Sequence, residues 1–173
     1  MPDEPASDRD FGALYRATLL PLRRYLTRLL GNCEEAQDVA HDAYLRVYPV
    51  MTRQPPSRPA ALLYTAARRL AINRLRRRSI SPVSREPFHP EISASPSPGV
   101  TQQVMARQEL GILREAISQL PEGCRVVLLL RKIELLSHRE IAERLGIAVS
   151  TVEKQHARAL RLLRAALERR LDP

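Results

Sequence analysis

The sequence predicts an all-α chain built as two small helical domains joined by a flexible Pro/Ser-rich linker. Apolar residues recur at helical spacing, and no stretch sustains the alternation of a β-strand. Between the helical parts, Pro82, Pro87, Pro90, Pro96 and Pro98 fall among serines, a composition that cannot pack a core. Near the C-terminus two candidate capping boxes flank a glycine, the pattern of a helix-turn-helix. The expected boundaries are 10–78 for the first domain, 79–107 for the linker and 108–171 for the second domain.

At 173 residues the chain has room for one ordinary domain or two small ones, and 44% hydrophobic residues suffice for a real core. Its net charge of +9 points to a polyanionic partner. The excess is shared: 1–78 carries 14 basic and 8 acidic residues, 79–107 carries 2 and 2, and 108–173 carries 12 and 9. Both helical parts are basic and the linker is neutral.

Several function classes drop out. No apolar run approaches the roughly 20 residues of a spanning helix, and the acidic start MPDEPASDRD lacks a signal-peptide core. A cytoplasmic location is expected. Cys33 and Cys124 form no CxxC pair, and His41, His89, His138 and His156 show no HxxxH or HExxH spacing. Two reduced, partly buried thiols are expected, with no metal and no cofactor. No nucleophile–base pair or Gly-rich phosphate loop suggests an enzyme.

The first domain is almost free of Gly and is interrupted near Pro55, Pro56 and Pro59. Glu34, Asp38 and Asp42 recur at i, i+4, i+8, an acidic stripe in a basic protein. It is either a solvated face or a docking surface for a basic partner; Val39, Ala43, Leu45 and Val47 supply apolar positions between and beyond. On the next helix Leu63, Ala67, Leu70 and Ala71 form an apolar stripe, and six arginines fall within 68–78 with no acid among them. Bound to phosphates, each would release counterions.

In the second domain, Ile112, Ala116 and Ile117 lie on one helix and Pro121 opens another. Ser137 and Glu140 form a capping box, Ile141, Ala142 and Leu145 a buried stripe, and Gly146 a helix stop. Ser150 and Glu153 are expected to form a second capping box. The following helix would turn Val152, His156, Ala159, Leu160, Leu163 and Leu167 inward. Ser150, Thr151, Lys154, Gln155 and Arg158 would face a major groove. Gln can read adenine and Arg guanine, while Ser and Thr suit phosphates. Arg139, on the preceding helix, is a candidate phosphate contact.

Taken in order, these motifs resemble the extracytoplasmic-function sigma factors of the sigma-70 family. Residues 35–47 resemble region 2.2, Leu62–Arg78 regions 2.3–2.4, and Leu120–Leu163 region 4. The run Val149–Gln155 is similar to the ferric-citrate, iron-starvation branch. The resemblance implies that Asp38, His41, Asp42 and Leu45 meet the β′ clamp helices of core RNA polymerase. It implies that Arg58, Arg69, Asn73, Arg74, Arg76 and Arg77 serve the −10 element, the 52–58 stretch capturing a flipped base. Arg139, Ser150, Thr151, Lys154, Gln155 and Arg158 would serve the −35 element. Further implied partners are the β flap, promoter DNA and an anti-sigma factor, of the inner-membrane FecR-like kind. The sequence departs from the family pattern at Leu62, at Arg69 and at Pro55-Pro56.

A dimeric helix-turn-helix regulator, binding duplex DNA without replacing a polymerase subunit, would share the C-terminal pattern. The Arg-rich helix and the lack of a ligand-pocket pattern weigh against it. A helical nucleic-acid-processing enzyme would need a catalytic constellation. A membrane-surface helix would need aromatics beside its arginines.

Overall fold

Seven α-helices and no strands make up the described residues, 6–80 and 101–171, of a computed structural model. The chain divides into two units, Met1–Ser84 and Arg85–Pro173. The Pro/Ser-rich stretch 81–100 lies outside the described residues.

The first unit holds α1 (Ala6–Leu30), α2 (Cys33–Arg53) and α3 (Pro59–Ile80), each packed on the other two. Asn32 separates α1 from α2: its side chain accepts the Glu34 N–H at 2.9 Å and the Glu35 N–H at 3.1 Å. That satisfies two of the amides a helix start leaves orphaned. Glu34 and Glu35 then stand where the helix dipole favours acid. Leu22, Leu26, Leu29, Val39, Ala43, Val47, Leu63, Ala67 and Ala71 fill the core. The predicted α3 stripe holds at Leu63, Ala67 and Ala71, while Leu70 is only half-buried and Ile72 and Leu75 join the core. One polar pair is enclosed: the Thr18 and Tyr44 hydroxyls lie 2.8 Å apart, and burial pushes the Tyr44 phenol up. α2 ends at Arg53 before Pro55 and Pro56, and Pro59 opens α3, where a missing N–H costs nothing.

The second unit holds α4 (Thr101–Ser118), α5 (Glu122–Lys132), α6 (His138–Leu145) and α7 (Val149–Leu171). Residues 101–107, which the expected boundary gives to the linker, belong to α4; no Gly or Pro follows Gly99 there to break the helix. Pro121 stands at the N-cap of α5. Helix α7 packs against α4, α5 and α6. Leu120, Cys124, Leu128 and Ala159 form a core cluster, with Ile117, Leu162 and Leu163 against it. Cys124 is therefore the buried thiol, held up by that burial, whereas Cys33, the first residue of α2, is exposed rather than partly buried.

No helix among the described residues is long and apolar enough to cross a membrane.

Candidate nucleic-acid interface

Helices α6 and α7 form the expected helix-turn-helix, and its first half is set by local chemistry. The Glu140 N–H donates to the Ser137 hydroxyl at 3.2 Å, and the Ser137 N–H donates back to the Glu140 carboxylate at 2.7 Å. This reciprocal pair is a complete capping box, and it draws the Glu140 carboxyl below the usual carboxylate range. Gly146 ends α6 at φ 68°, a backbone conformation that costs a residue with a Cβ about 1–2 kcal/mol. The Ile147 N–H then closes the end by donating to the Ala142 carbonyl at 3.0 Å.

The second half departs from expectation. Helix α7 begins at Val149, one residue before Ser150, so Ser150 and Glu153 do not form a second capping box. The physical reason lies in the closure of α6. The turn is only Gly146, Ile147 and Ala148, and the Ala148 carbonyl accepts the first amides of α7, from Thr151 at 3.0 Å and Val152 at 3.2 Å. Ser150 instead lies in the first turn, exposed.

Val152 and Ala159, both at 0% exposure, seat α7 in the core. Leu160, expected to point inward, is 42% exposed, and Leu162 takes its place against the core cluster. The opposite face carries the expected outward set: Ser150, Lys154 and Arg158 are exposed and Thr151 is half-buried. Arg139 is exposed on α6. Lys154 and two hydroxyls thus lie in the first two turns of α7, where free amides and the dipole suit phosphate, with Arg158 one turn farther along and Arg139 on α6.

Gln155 is placed differently. It is half-buried, its Oε1 is buried without a hydrogen-bond partner, and its amide lies against Gly123 on α5. A Cβ at Gly123 would overlap that amide. Gly123, the second residue of α5, is not among the glycines with positive φ, so its backbone conformation does not demand glycine. Close approach by Gln155 is therefore what the missing side chain permits.

A second contact invisible in the sequence joins the two helices. His138, the first residue of α6, and His156 on α7 bring ring nitrogens to 3.2 Å. Burial, then His138, Lys132 and Arg131, hold the His156 imidazole below its usual range.

In the first unit, Asp38, His41, Asp42 and Leu45 form one exposed face of α2, with Leu45 58% exposed among the acids. The Arg-rich end of α3 is not simply unpaired. Arg74 lies 3.8 Å from Asp38, and Arg78 folds back to Glu35 and donates to the Leu30 carbonyl at 3.0 Å. Arg69, Asn73, Arg76 and Arg77 are exposed on α3, and Arg58 is exposed just before it. Thr52 and Arg53 are helical, so the loop between α2 and α3 is 54–58.

Known proteins share this arrangement. The family model described as Sigma-70 region 2 matches residues 14–80, and the one described as Sigma-70, region 4 matches residues 110–163. The ferric citrate uptake sigma factor FecI of Escherichia coli K12 is 30% identical over 152 residues, covering 87% of this chain and 86% of that protein. The ECF RNA polymerase sigma factor SigW of Bacillus subtilis is 29% identical over 154 residues, covering 81% and 79%. Among solved structures, the sigma factor RpoE of Bartonella quintana, in complex with the anti-sigma factor NepR, aligns with a TM-score of 0.50 at 20% identity. That alignment covers 95% of this chain and 99% of the other, a likeness of fold.

Proposed function

The chain belongs to the sigma-70 family of RNA polymerase sigma factors, in its extracytoplasmic-function branch, and we propose a division of that work among its surfaces. The first domain, 10–78, docks on core RNA polymerase through Asp38, His41, Asp42 and Leu45. The β′ clamp helices are the proposed counterpart. An exposed apolar side chain beside exposed acids suits a basic partner with an apolar contact.

The same domain holds the melted −10 strand along α3. Arg69 and Asn73 help read and open the −10 element, Arg76 and Arg77 follow the backbone, and Arg58 ends a loop, 54–58, that receives a flipped base. Arg74 takes part by exchanging Asp38 for a phosphate. The second domain, 108–171, binds the −35 duplex through Ser150, Thr151, Lys154, Gln155 and Arg158, with Arg139 on the phosphates. It also meets the β flap. The protein contributes recognition and no chemistry of its own.

The observation that carries this reading is the exposed Lys154–Arg158 face of a helix anchored by Val152 and Ala159. It is one half of a chain whose other half ends in an Arg-rich helix. We further propose a cytoplasmic location and restraint by an anti-sigma factor. The solved relative is bound to one, and the likeness to a ferric citrate uptake sigma factor favours an inner-membrane regulator of the FecR-like kind.

The test is transcription in vitro with core RNA polymerase on a library of genomic promoters. Initiation at defined starts is expected. No initiation, together with palindromic duplex binding in the absence of polymerase, would overturn it in favour of a dimeric regulator.

A further inference from the structure

Gln155 lies at the edge of the proposed −35 surface, three residues after the buried Val152 and four before the buried Ala159, and its amide rests on α5. Two features of that resting place pull in opposite directions. Gly123, the second residue of α5, leaves room for an amide that a Cβ would displace, so the seat is built into α5. The Gln155 Oε1, however, is buried in the seat without a hydrogen-bond partner, so the seated amide is incompletely satisfied. An adenine edge in the major groove offers what the seat lacks, a donor and an acceptor at matching spacing.

We propose that Gly123 is a positioning residue for promoter recognition: it provides a seat from which the Gln155 side chain must swing out to read a base. The inference rests on the −35 role proposed above for α7. The seated state lowers the population of the reading state, and apparent discrimination falls by that fraction. Closing the seat raises it. Glycine to alanine at position 123 does so with one methyl group, in a helix where alanine is the better former. Neither Lys154 nor Arg158 is disturbed, because both are exposed on the outer face.

The experiment uses the full chain bound to core RNA polymerase and a pool of duplexes randomised across the −35 region. Enriched sequences are counted for the unaltered protein, Gly123→Ala, Gln155→Ala and the double variant. The expected result is a base preference at one position that Gln155→Ala loses and Gly123→Ala sharpens at least threefold. The double variant should match Gln155→Ala, because closing an empty seat changes nothing. A merely structural glycine would shift affinity evenly across all sequences and leave the preference alone. The inference is overturned by unchanged or weakened preference in Gly123→Ala, or by a gain that persists in the double variant. An unchanged motif in Gln155→Ala overturns it too, and that arm does not depend on the Gly123 variant folding. Failure of the unaltered holoenzyme to enrich any −35 motif is a different outcome, and it removes the proposed role of α7 itself.

Discussion

Arg158→Ala separates base reading from plain charge attraction. Arg158 is exposed on α7, one turn beyond Lys154, and its neighbour Ala159 is fully buried on the opposite side. Truncating the side chain removes nothing from the core, so stability should change by no more than about 0.5 kcal/mol. A bidentate arginine–guanine contact is worth about 1–3 kcal/mol of discrimination, or roughly 5- to 150-fold in affinity. A phosphate contact behaves otherwise. It weakens all sequences alike and lowers the slope of log K against log salt by about 0.9. The assay is binding of holoenzyme to matched and mismatched −35 duplexes at several salt concentrations, with thermal unfolding as control. The expected result is a loss confined to one base pair, with the salt slope little changed. A uniform loss with a lower slope would make Arg158 a backbone contact, and unchanged binding would remove it from the interface. Lys154→Ala supplies the contrast, since an ammonium is a point charge and should show the uniform pattern.

Other outcomes test the remaining surfaces. Asp42→Lys should abolish capture of core RNA polymerase in a pull-down while helicity by circular dichroism persists; retained capture would reduce the acidic stripe to a solvated face. Gly146→Ala should destabilise the second unit by about 1–2 kcal/mol through its positive φ, read as a lowered denaturation midpoint. Leu135 sits at φ 56° while 77% exposed, so Leu135→Gly should relieve backbone strain without losing a buried contact, raising the thermal midpoint by a few degrees. His156 is held below its usual range, so its neutral ring favours the folded state. That contribution is full above the unfolded value of about 6.5 and is lost as pH falls through the lower folded value. The thermal midpoint should therefore fall between pH 7 and pH 5, and His156→Leu should flatten that part of the profile.

What could be read ahead of the structure follows from range. The Ser137 capping box and the Gly146 stop are local, each decided by residues within four positions of one another. The outward face of α7 followed from helical period alone, and Lys154 and Arg158 lie where that period puts them. Period could not decide between Leu160 and Leu162, which flank the same stripe; the position of α5 and α4 against α7 chose Leu162. The second capping box failed because Ser150 and Glu153 have suitable identities but the closure of α6 starts the next helix one residue early. The Gly123 seat and the His138–His156 pair join residues on different helices, and nothing in the sequence marks either partner for the other.

The acidic stripe and the Arg-rich helix read as separate surfaces in sequence, but the fold gives them a common member. Asp38 belongs to the proposed polymerase face and lies 3.8 Å from Arg74, which belongs to the proposed DNA face. The side chains are 68% and 41% exposed, and at 3.8 Å the contact is not a hydrogen bond, so the pair itself is worth at most about 1 kcal/mol. It is therefore cheap to break, and it screens each charge from the wrong partner while the protein is free. Docking on a basic polymerase surface would draw Asp38 away and leave Arg74 available to a phosphate. Phosphate binding at Arg74 would in turn leave Asp38 available to polymerase. By linkage each event favours the other by the same factor, and the weakness of the pair keeps that factor below about fivefold. A charge reversal at Asp38 would set a lysine beside Arg74 and disturb both surfaces together. Asp42, which has no such partner among the described ion pairs, is the position at which the polymerase face can be probed alone.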